Sequence, residues 1–381
     1  MNGKDLLIDL GNISHRYYEE AENDAQLKDG RIGRKKLVLL SLAATMLLAT
    51  LTGAAVFTRW SKSAQASFNP SQDIKEQAEQ SGLSVILEET KGEDNTNEIL
   101  SVTDQGITIT AVQSIVDNYQ ARITFRIEGF DLSEDELPAV WPEVTIDGDS
   151  HFGGLQSGWF YDGIAQNEKG DTVYVSSGLP VESDEEGCLI LDYVADDGSL
   201  EYTHFISFEQ TDGRYMGKEI AFIFDSIDFQ SHEKAGMPVP QIEGDWELKW
   251  TLTGTDSNIN IAPNVQIGDS DVILLDAEIG QISLRTRYQL KDYWEGWDEL
   301  VELPQAICGV RMKNGTEHLC YPGSSGFEDQ EKMIYYIESR MNNAVLDISQ
   351  VESLMFHKDW VKEANGKTIG QTYYYIPISS D

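Results

Sequence analysis

Histidines, cysteines and clustered carboxylates are where catalytic or metal chemistry would show first, and their spacing here forms none of the usual constellations. The six histidines (His15, His151, His204, His232, His318 and His357) stand singly. No HExxH occurs and no two are spaced i, i+4, the arrangement that puts two imidazoles on one helix face for zinc. They read as surface or strand residues. No GxSxG elbow is present, and Gly323-Ser-Ser-Gly326 and Ser176-Ser-Gly178 read as turns. The acidic groups Asp147-Gly-Asp149, Ser183-Asp-Glu-Glu-Gly187 and Asp269-Ser-Asp271 offer oxygens to Ca²⁺ but lack EF-hand spacing, so solvated loops account for them. No glycine loop suited to a phosphate occurs. The chain reads as a non-enzyme with no cofactor and no metal centre.

Three cysteines make no disulfide framework in a chain of this size. Cys308 and Cys320 flank the turn signal Asn314-Gly315. A three-residue loop over 313–315, with Gly315 left-handed, would set them opposite one another. A two-residue Asn-Gly loop would put them on opposite faces. Eight tryptophans are present. Trp246 and Trp250 fall at core-facing strand spacing. Trp159-Phe160-Tyr161 and Tyr293-Trp294-Glu-Gly-Trp297 read as aromatic loop clusters, either tucked over the end of a β fold or forming a binding surface.

The element that must position everything else is the apolar run at residues 37–57. It contains no charge, follows Arg31, Arg34, Lys35 and Lys36, and ends before Arg59. Such a run gives about 31 Å of helix, the thickness of a bilayer's hydrocarbon core. The basic flank sets the N-terminus inside. The alternative is a cleaved signal peptide, with Ala64-Gln65-Ala66 as its site. The long charged leader, the length of the run, and Arg59 and Lys62 favour a retained span. The formal net charge is −37, and its whole excess follows the span, where 21 basic side chains face 58 acidic ones. That field excludes nucleic acid as a partner.

Residues 1–36 read as a cytoplasmic tail with a short amphipathic helix over 15–27, opened by Ile13 and Ser14. Residues 58–98 read as a spacer with one short helix at 72–80, capped by Gly82. Beyond it the hydrophobic period becomes two. Strands are expected from 107 to the turn at Asp117-Asn118, then over 120–128, with Ala121, Ile123, Phe125 and Ile127 inward and Arg122, Thr124 and Arg126 outward. Others fall at 172–176, 188–194, 203–209, 220–229 and 246–252. After a turn-rich break come 272–278, 281–290, 306–312, 316–320, 344–355 and 372–378, with one short helix at 330–341. The fold class is mainly β: a transmembrane helix followed by two tandem antiparallel sandwiches, at 99–254 and 259–381.

The layout of tail motif Gly11-Asn-Ile-Ser-His-Arg-Tyr-Tyr-Glu-Glu-Ala-Glu22, basic stop and single span resembles small membrane proteins of Gram-positive bacteria, often encoded beside sigma factors of the extracytoplasmic-function class. Ser101-Val-Thr-Asp-Gln-Gly-Ile-Thr-Ile-Thr through Arg126-Ile-Glu-Gly129 resembles the opening hairpin of an Ig-like family catalogued as domain of unknown function 4179. Gly244-Asp-Trp-Glu-Leu-Lys-Trp250 is similar to that family's closing strand. Leu346-Asp-Ile-Ser-Gln-Val-Glu-Ser-Leu354 is similar to the end of the second Ig-like domain that often follows. The resemblance implies an anti-sigma-factor-like role and no catalytic residues.

The expected function is therefore a single-pass regulator whose exterior domains bind an unidentified ligand. Its tail would hold a partner such as a sigma factor through Tyr17, Tyr18, Ala21 and Leu27. The competing class is a membrane-anchored surface or structural module. Within the span, Ser41, Thr45, Ala49 and Gly53 recur every four residues, a ridge of small side chains through which two helices could pair into a homodimer.

Overall fold

The computed structural model describes residues 60–68, 70–89, 100–130, 132, 136–151, 155–166, 171–175, 177–183, 187, 189–194, 197–208, 215–231, 240–290, 307–341, 344–362 and 368–378. All lie within Val56–Asp381, which forms one compact unit. The span at 37–57, its ridge (Ser41, Thr45, Ala49, Gly53) and the tail positions Tyr17, Tyr18, Ala21 and Leu27 lie outside the described residues, as do Cys188 and residues 293–297. Among the described residues no helix is long and apolar enough to cross a membrane. They are mainly β, and their strands pair antiparallel.

Among the described residues two helices come first, α1 (Lys62–Phe68) and α2 (Gln72–Gln80). The first β module follows: β1 (Ser84–Ile86), β2 (Ser101–Asp104), β3 (Ile107–Val116), β4 (Gln120–Glu128), β5 (Glu136–Ala139) and β6 (Glu143–Ile146). It continues with β7 (Gln156–Phe160), β8 (Ile164–Gln166), β9 (Thr172–Tyr174), β10 (Leu200–Ser207), β11 (Glu219–Ser231) and β12 (Pro240–Thr251). One sheet runs β1-β3-β4-β10-β7 with β2 also on β3, and a second runs β12-β11-β5 with β6 also on β11. Alternation dictates what fills the space between them. Ile109, Ile123, Phe125 and Ile127 meet Phe222, Phe224, Trp246, Leu248 and Trp250 in one core. The Phe125 ring lies 4.8 Å from Phe222 and 5.2 Å from Phe224. Each such side chain contributes about 1.5–3 kcal/mol by leaving water. The Trp246 indole also donates to the Ile107 carbonyl at 3.0 Å, tying one sheet to the other.

The second module comprises β13 (Ile259–Ile261), β14 (Val265–Gln266), β15 (Ile273–Ile279), β16 (Ser283–Gln289) and β17 (Ile307–Met312). It ends with β18 (Glu317–Asp329), β19 (Ile334–Met341), β20 (Val351–Lys362) and β21 (Thr368–Pro377). Its strands form one path, β13-β15-β16-β19-β18-β17-β20-β21, with β14 also on β15. The long β18 pairs with β17 through its first residues and with β19 from Cys320 onward, with register shifts at Pro322/Ser325 and Phe327/Asp329. This folds the path back on itself around Leu274, Leu284, Tyr288, Ile337, Val310, Leu354 and Phe356.

Several expectations from the sequence change, and the strand expected at 344–355 begins only at Val351. Residues 334–341 are strand rather than helix: Tyr335, Ile337, Ser339 and Met341 are buried at period two, and the aromatic and β-branched residues suit a pleated surface. No strand spans 188–194 among the described residues; Leu189 and Val194 make isolated bridges, and Leu189 and Ile190 are exposed. The stretch 58–98 is not merely a spacer, because it adds α1 and β1 to the expected helix and buries Trp60, Ala64, Phe68, Ala78 and Leu83. The outward face of β4 is not solvated either: Thr124 is buried beneath α1, and Arg122 lies against the Phe68 ring.

The hairpin between β17 and β18 turns through 313–315 with Gly315 at φ 86°, and Arg311 pairs with Glu317 and Gly309 with Leu319. That register sets Cys308 opposite Cys320, yet both remain thiols. Cys308 is the extra residue of a bulge against β20, between Ile307 and Gly309. The Cys320 thiol turns inward to the Ile307 carbonyl, 3.8 Å away. Burial raises Cys308 to about 11 and Cys320 to about 12, so neither is a thiolate near neutrality.

Candidate functional site at the junction of the two modules

The most organised polar chemistry lies where the β3–β4 turn of the first module meets the β15–β16 turn of the second. Asp117 opens the first turn and is only 2% exposed. Its Oδ1 accepts the backbone N–H groups of Tyr119 and Gln120, both at 3.1 Å, which fixes its own turn. Its Oδ2 accepts from Ser283 Oγ at 2.6 Å and from the Ile282 N–H at 3.4 Å, across the junction. Burial pushes the carboxyl above its ordinary range, and these hydrogen bonds pull against that shift. A side chain at Gly280 would bring a Cβ within 2.7 Å of Asp117 Oδ2, so the glycine is what permits the approach.

The neighbouring residues repeat the pattern. Asn118 Nδ2 and the Tyr119 hydroxyl donate to the two oxygens of Glu278 at 2.8 and 2.7 Å, and Asn258 also donates to Glu278. Gln120 Nε2 reaches the Ser339 carbonyl at 3.1 Å. Thr255 N–H donates to the Val116 carbonyl at 3.0 Å. Buried polar groups that meet their partners only across a junction hold it in one register.

An apolar wedge seals the same junction. Trp60, Ala64, Phe68, Ala78 and Leu83 pack with Ile115 of the first module and with Ile282 and Val345 of the second. Polar contacts fasten it. Ser61 N–H donates to Gln113 Oε1 at 3.0 Å, Ser63 Oγ lies 2.6 Å from Thr203 Oγ1, and Glu201 accepts from the N–H groups of Lys62 and Ser63. On the other side, Ser81 Oγ donates to Gln281 at 2.9 Å and the Trp60 indole donates to Glu79 at 3.0 Å. Arg122 sits 4.2 Å from the Phe68 ring centre; burial, and then the nearby Arg340, lowers its guanidinium to about 10.

A cleft of about 340 Å³ opens beside the junction, lined by Tyr119, Asn260, Asp276, Glu278, Arg285, Arg287 and others. Arg287 pairs with Asp276 at 2.9 Å and with Glu328 at 2.5 Å. Arg285 lies 4.9 Å from the Tyr336 ring centre and 3.9 Å from Glu338. The charges answer one another, which suits a clamp better than a reaction centre. Among the described residues no group of His, Cys, Asp and Glu could hold a metal ion.

The residues singled out from sequence fall elsewhere. Asp147-Gly148 is a tight turn with both residues at positive φ, and Asp147 accepts the Glu219 N–H. Trp159 and Phe160 lie on β7, an outer strand rather than a loop, and Phe160 packs 5.2 Å from Tyr202. His204 is fully buried on β10. Gln156 Oε1, 3.0 Å away, can only accept, so Nε2 carries the proton and Nδ1 takes the Tyr202 hydroxyl at 2.9 Å. Burial lowers this imidazole to about 4. Trp141, 62% exposed, covers it edge-on at 5.8 Å. Sequence reasoning marked Asp117-Asn118 as a turn but not as a fastening. The only signal for the wedge was the presence of apolar residues in an otherwise polar stretch.

No family model matches the chain, and no curated protein matches it. Among solved structures it is similar to the crystal structure of the conserved domain protein from Bacillus anthracis, with 10% identity, a TM-score of 0.42, and coverage of 78% of this chain and 95% of that one.

Proposed function

We propose that the protein is a single-pass membrane regulator with its tail in the cytoplasm and two tandem Ig-like sandwiches outside. The exterior pair binds a ligand, and the tail holds a partner such as an extracytoplasmic-function sigma factor through Tyr17, Tyr18, Ala21 and Leu27. The burial of Trp60 supports this most. A span at 37–57 leaves only Thr58 and Arg59 before a residue that is 2% exposed in the junction. A chain leaving such a span would reach the junction within two or three residues of sequence. A ligand that repacked the junction would then act on the chain within a few residues of the membrane. Cleavage after Ala66 would strip Trp60, Ser61, Ser63 and Ala64 from the junction, which favours retention of the span.

Two experiments test the proposal. Residues 1–36 should capture the sigma factor, and Tyr17→Asp should release it. A flexible Gly-Ser insertion between Arg59 and Trp60 should leave ligand binding intact and abolish its effect on transcription. Normal transcription in a strain lacking residues 1–36 would overturn the reading in favour of a membrane-anchored surface module.

A further inference from the structure

We propose that β21 is the surface on which a second copy of this chain docks, strand against strand. Among the described strands β21 pairs with β20 alone, at the end of the nine-stranded path. The direction of its open hydrogen-bonding groups follows from one bond. Ile378 N–H donates to the Glu352 carbonyl, so even-numbered residues of β21 turn their backbone groups toward β20. Those of Gln371, Tyr373 and Tyr375 therefore point away from it. Pro377 falls at an outward position, where a missing N–H breaks no bond within the sheet. A Cβ placed on Gly370 would meet nothing within 4 Å.

The chemistry of this edge is unusual for the chain. Thr368–Pro377 carries no charged residue over ten positions, whereas the whole chain is 24% charged. β12, the long outer strand of the first module, carries Glu243, Asp245, Glu247 and Lys249. Long uncharged edges recruit other strands unless charge, proline or a cover blocks them, and here Pro377 confines an open stretch to the residues before it.

The charge balance selects the occupant. Two copies of a chain with net charge −37 repel each other over most of their surfaces. On β17, β20, β21 and the part of β18 that pairs with β17 and begins β19 pairing (317–321), Arg311, Lys358 and Lys362 balance Glu317, Glu352 and Asp359. These strand segments beside the edge are neutral in sum, so like can approach like. An antiparallel pair of identical strands is also two-fold symmetric by construction. Beside the edge Tyr375 and Leu319 are the exposed members of a row across four strands, in which Met355 and Gly309 are buried. Tyr375 is 41% exposed, its hydroxyl donates to Glu317 at 2.8 Å, and the Arg311 guanidinium lies 5.3 Å from its ring centre. Tyrosine and arginine are the residue types that anchor interfaces.

The full chain in mild detergent, carrying Ala49→Leu and Gly53→Leu to disable pairing through the span, separates this contact from any other. Light scattering should give a dimer mass. Peptides covering 371–377 should lose amide exchange as protein concentration rises. Gln371→Lys with Tyr375→Lys should weaken association at least tenfold while the thermal unfolding curve keeps its shape. A monomer at all concentrations, or a dimer indifferent to both lysines, would overturn the proposal. So would exchange at 371–377 that is independent of concentration, a readout that does not depend on any strand variant folding.

Discussion

Asp117 and His204 are both buried titratable groups in the first module, and they are buried in opposite ways. Asp117 faces another module and meets four donors, three of them backbone N–H groups. His204 stays within its own module and hydrogen-bonds two neutral side chains, Tyr202 and Gln156. The first arrangement serves a carboxylate and fixes a register; the second serves a neutral ring and tolerates no charge. The same fold thus uses burial once to fasten and once to fill.

The largest expected effect comes from breaking the fastening. Asp117→Ala would leave the Ser283 hydroxyl and three N–H groups without their acceptor in a buried junction. Such losses cost about 3–5 kcal/mol. The two modules should then part before they unfold, so a urea titration followed by tryptophan fluorescence would resolve two transitions where the native chain shows one. A single, undisplaced transition would mean that the wedge around Trp60 alone holds the junction.

Titration of His204 comes next. Its folded value of about 4 lies below the ordinary 6.5, so the unfolded chain binds the proton more readily. The associated stability is complete above about pH 6.5 and is lost as pH falls toward 4, by about 3 kcal/mol in total. Asp117 runs the other way: its raised carboxyl makes the fold gain as pH falls toward the ordinary range of an aspartate. Chemical unfolding between pH 7 and 4 separates the two: His204→Gln should remove the loss that sets in below about pH 6.5 and leave the opposite slope, to which the raised carboxyls of Asp117 and Glu201 both contribute.

Much of this architecture was legible because it depends on neighbours in sequence. Alternation marked Ile123, Phe125 and Ile127, and it marked Trp246, Leu248, Trp250 and Leu252, all buried as the period demands. The loop at 313–315 with a left-handed Gly315 was one of two readings, and the structure selects it. Residues 330–341 misled because Met333, Ile337 and Met341 also fit a helical period. The cover over Arg122 and Thr124 was illegible because it comes from Trp60–Phe68, far off in sequence. The same holds for Asp117: a turn aspartate looks alike whether its second oxygen meets water or Ser283.

Ser283→Ala sharpens the junction side of the comparison at smaller scale. It removes one donor from Asp117 Oδ2 and leaves the others, an expected loss of about 1–1.5 kcal/mol. That hydrogen bond also holds the carboxyl down, so its loss should move the Asp117 titration further upward, readable by carboxyl ¹³C NMR. A carboxyl that does not move would assign its position to burial and the backbone donors alone.

The smallest expected effect on stability, and the sharpest test of the filled site, is Trp141→Ala. The indole is 62% exposed, so little apolar surface returns to water when it goes, and the loss should stay below about 1 kcal/mol. Its ring nevertheless lies edge-on to His204 at 5.8 Å, and the Phe222 ring lies 5.4 Å from the same imidazole. If Trp141 is the lid that keeps water from the imidazole, its removal hydrates the charged form and the titration of His204 climbs from about 4 toward its ordinary value. The His204 Cε1–H resonance would report that climb directly, while the unfolding midpoint at pH 7 scarcely moves. A titration that stays low without the indole would show that Tyr202, Phe222 and Gln156 suffice to exclude the proton. The acid sensitivity of the first module would then belong to its interior core rather than to its surface.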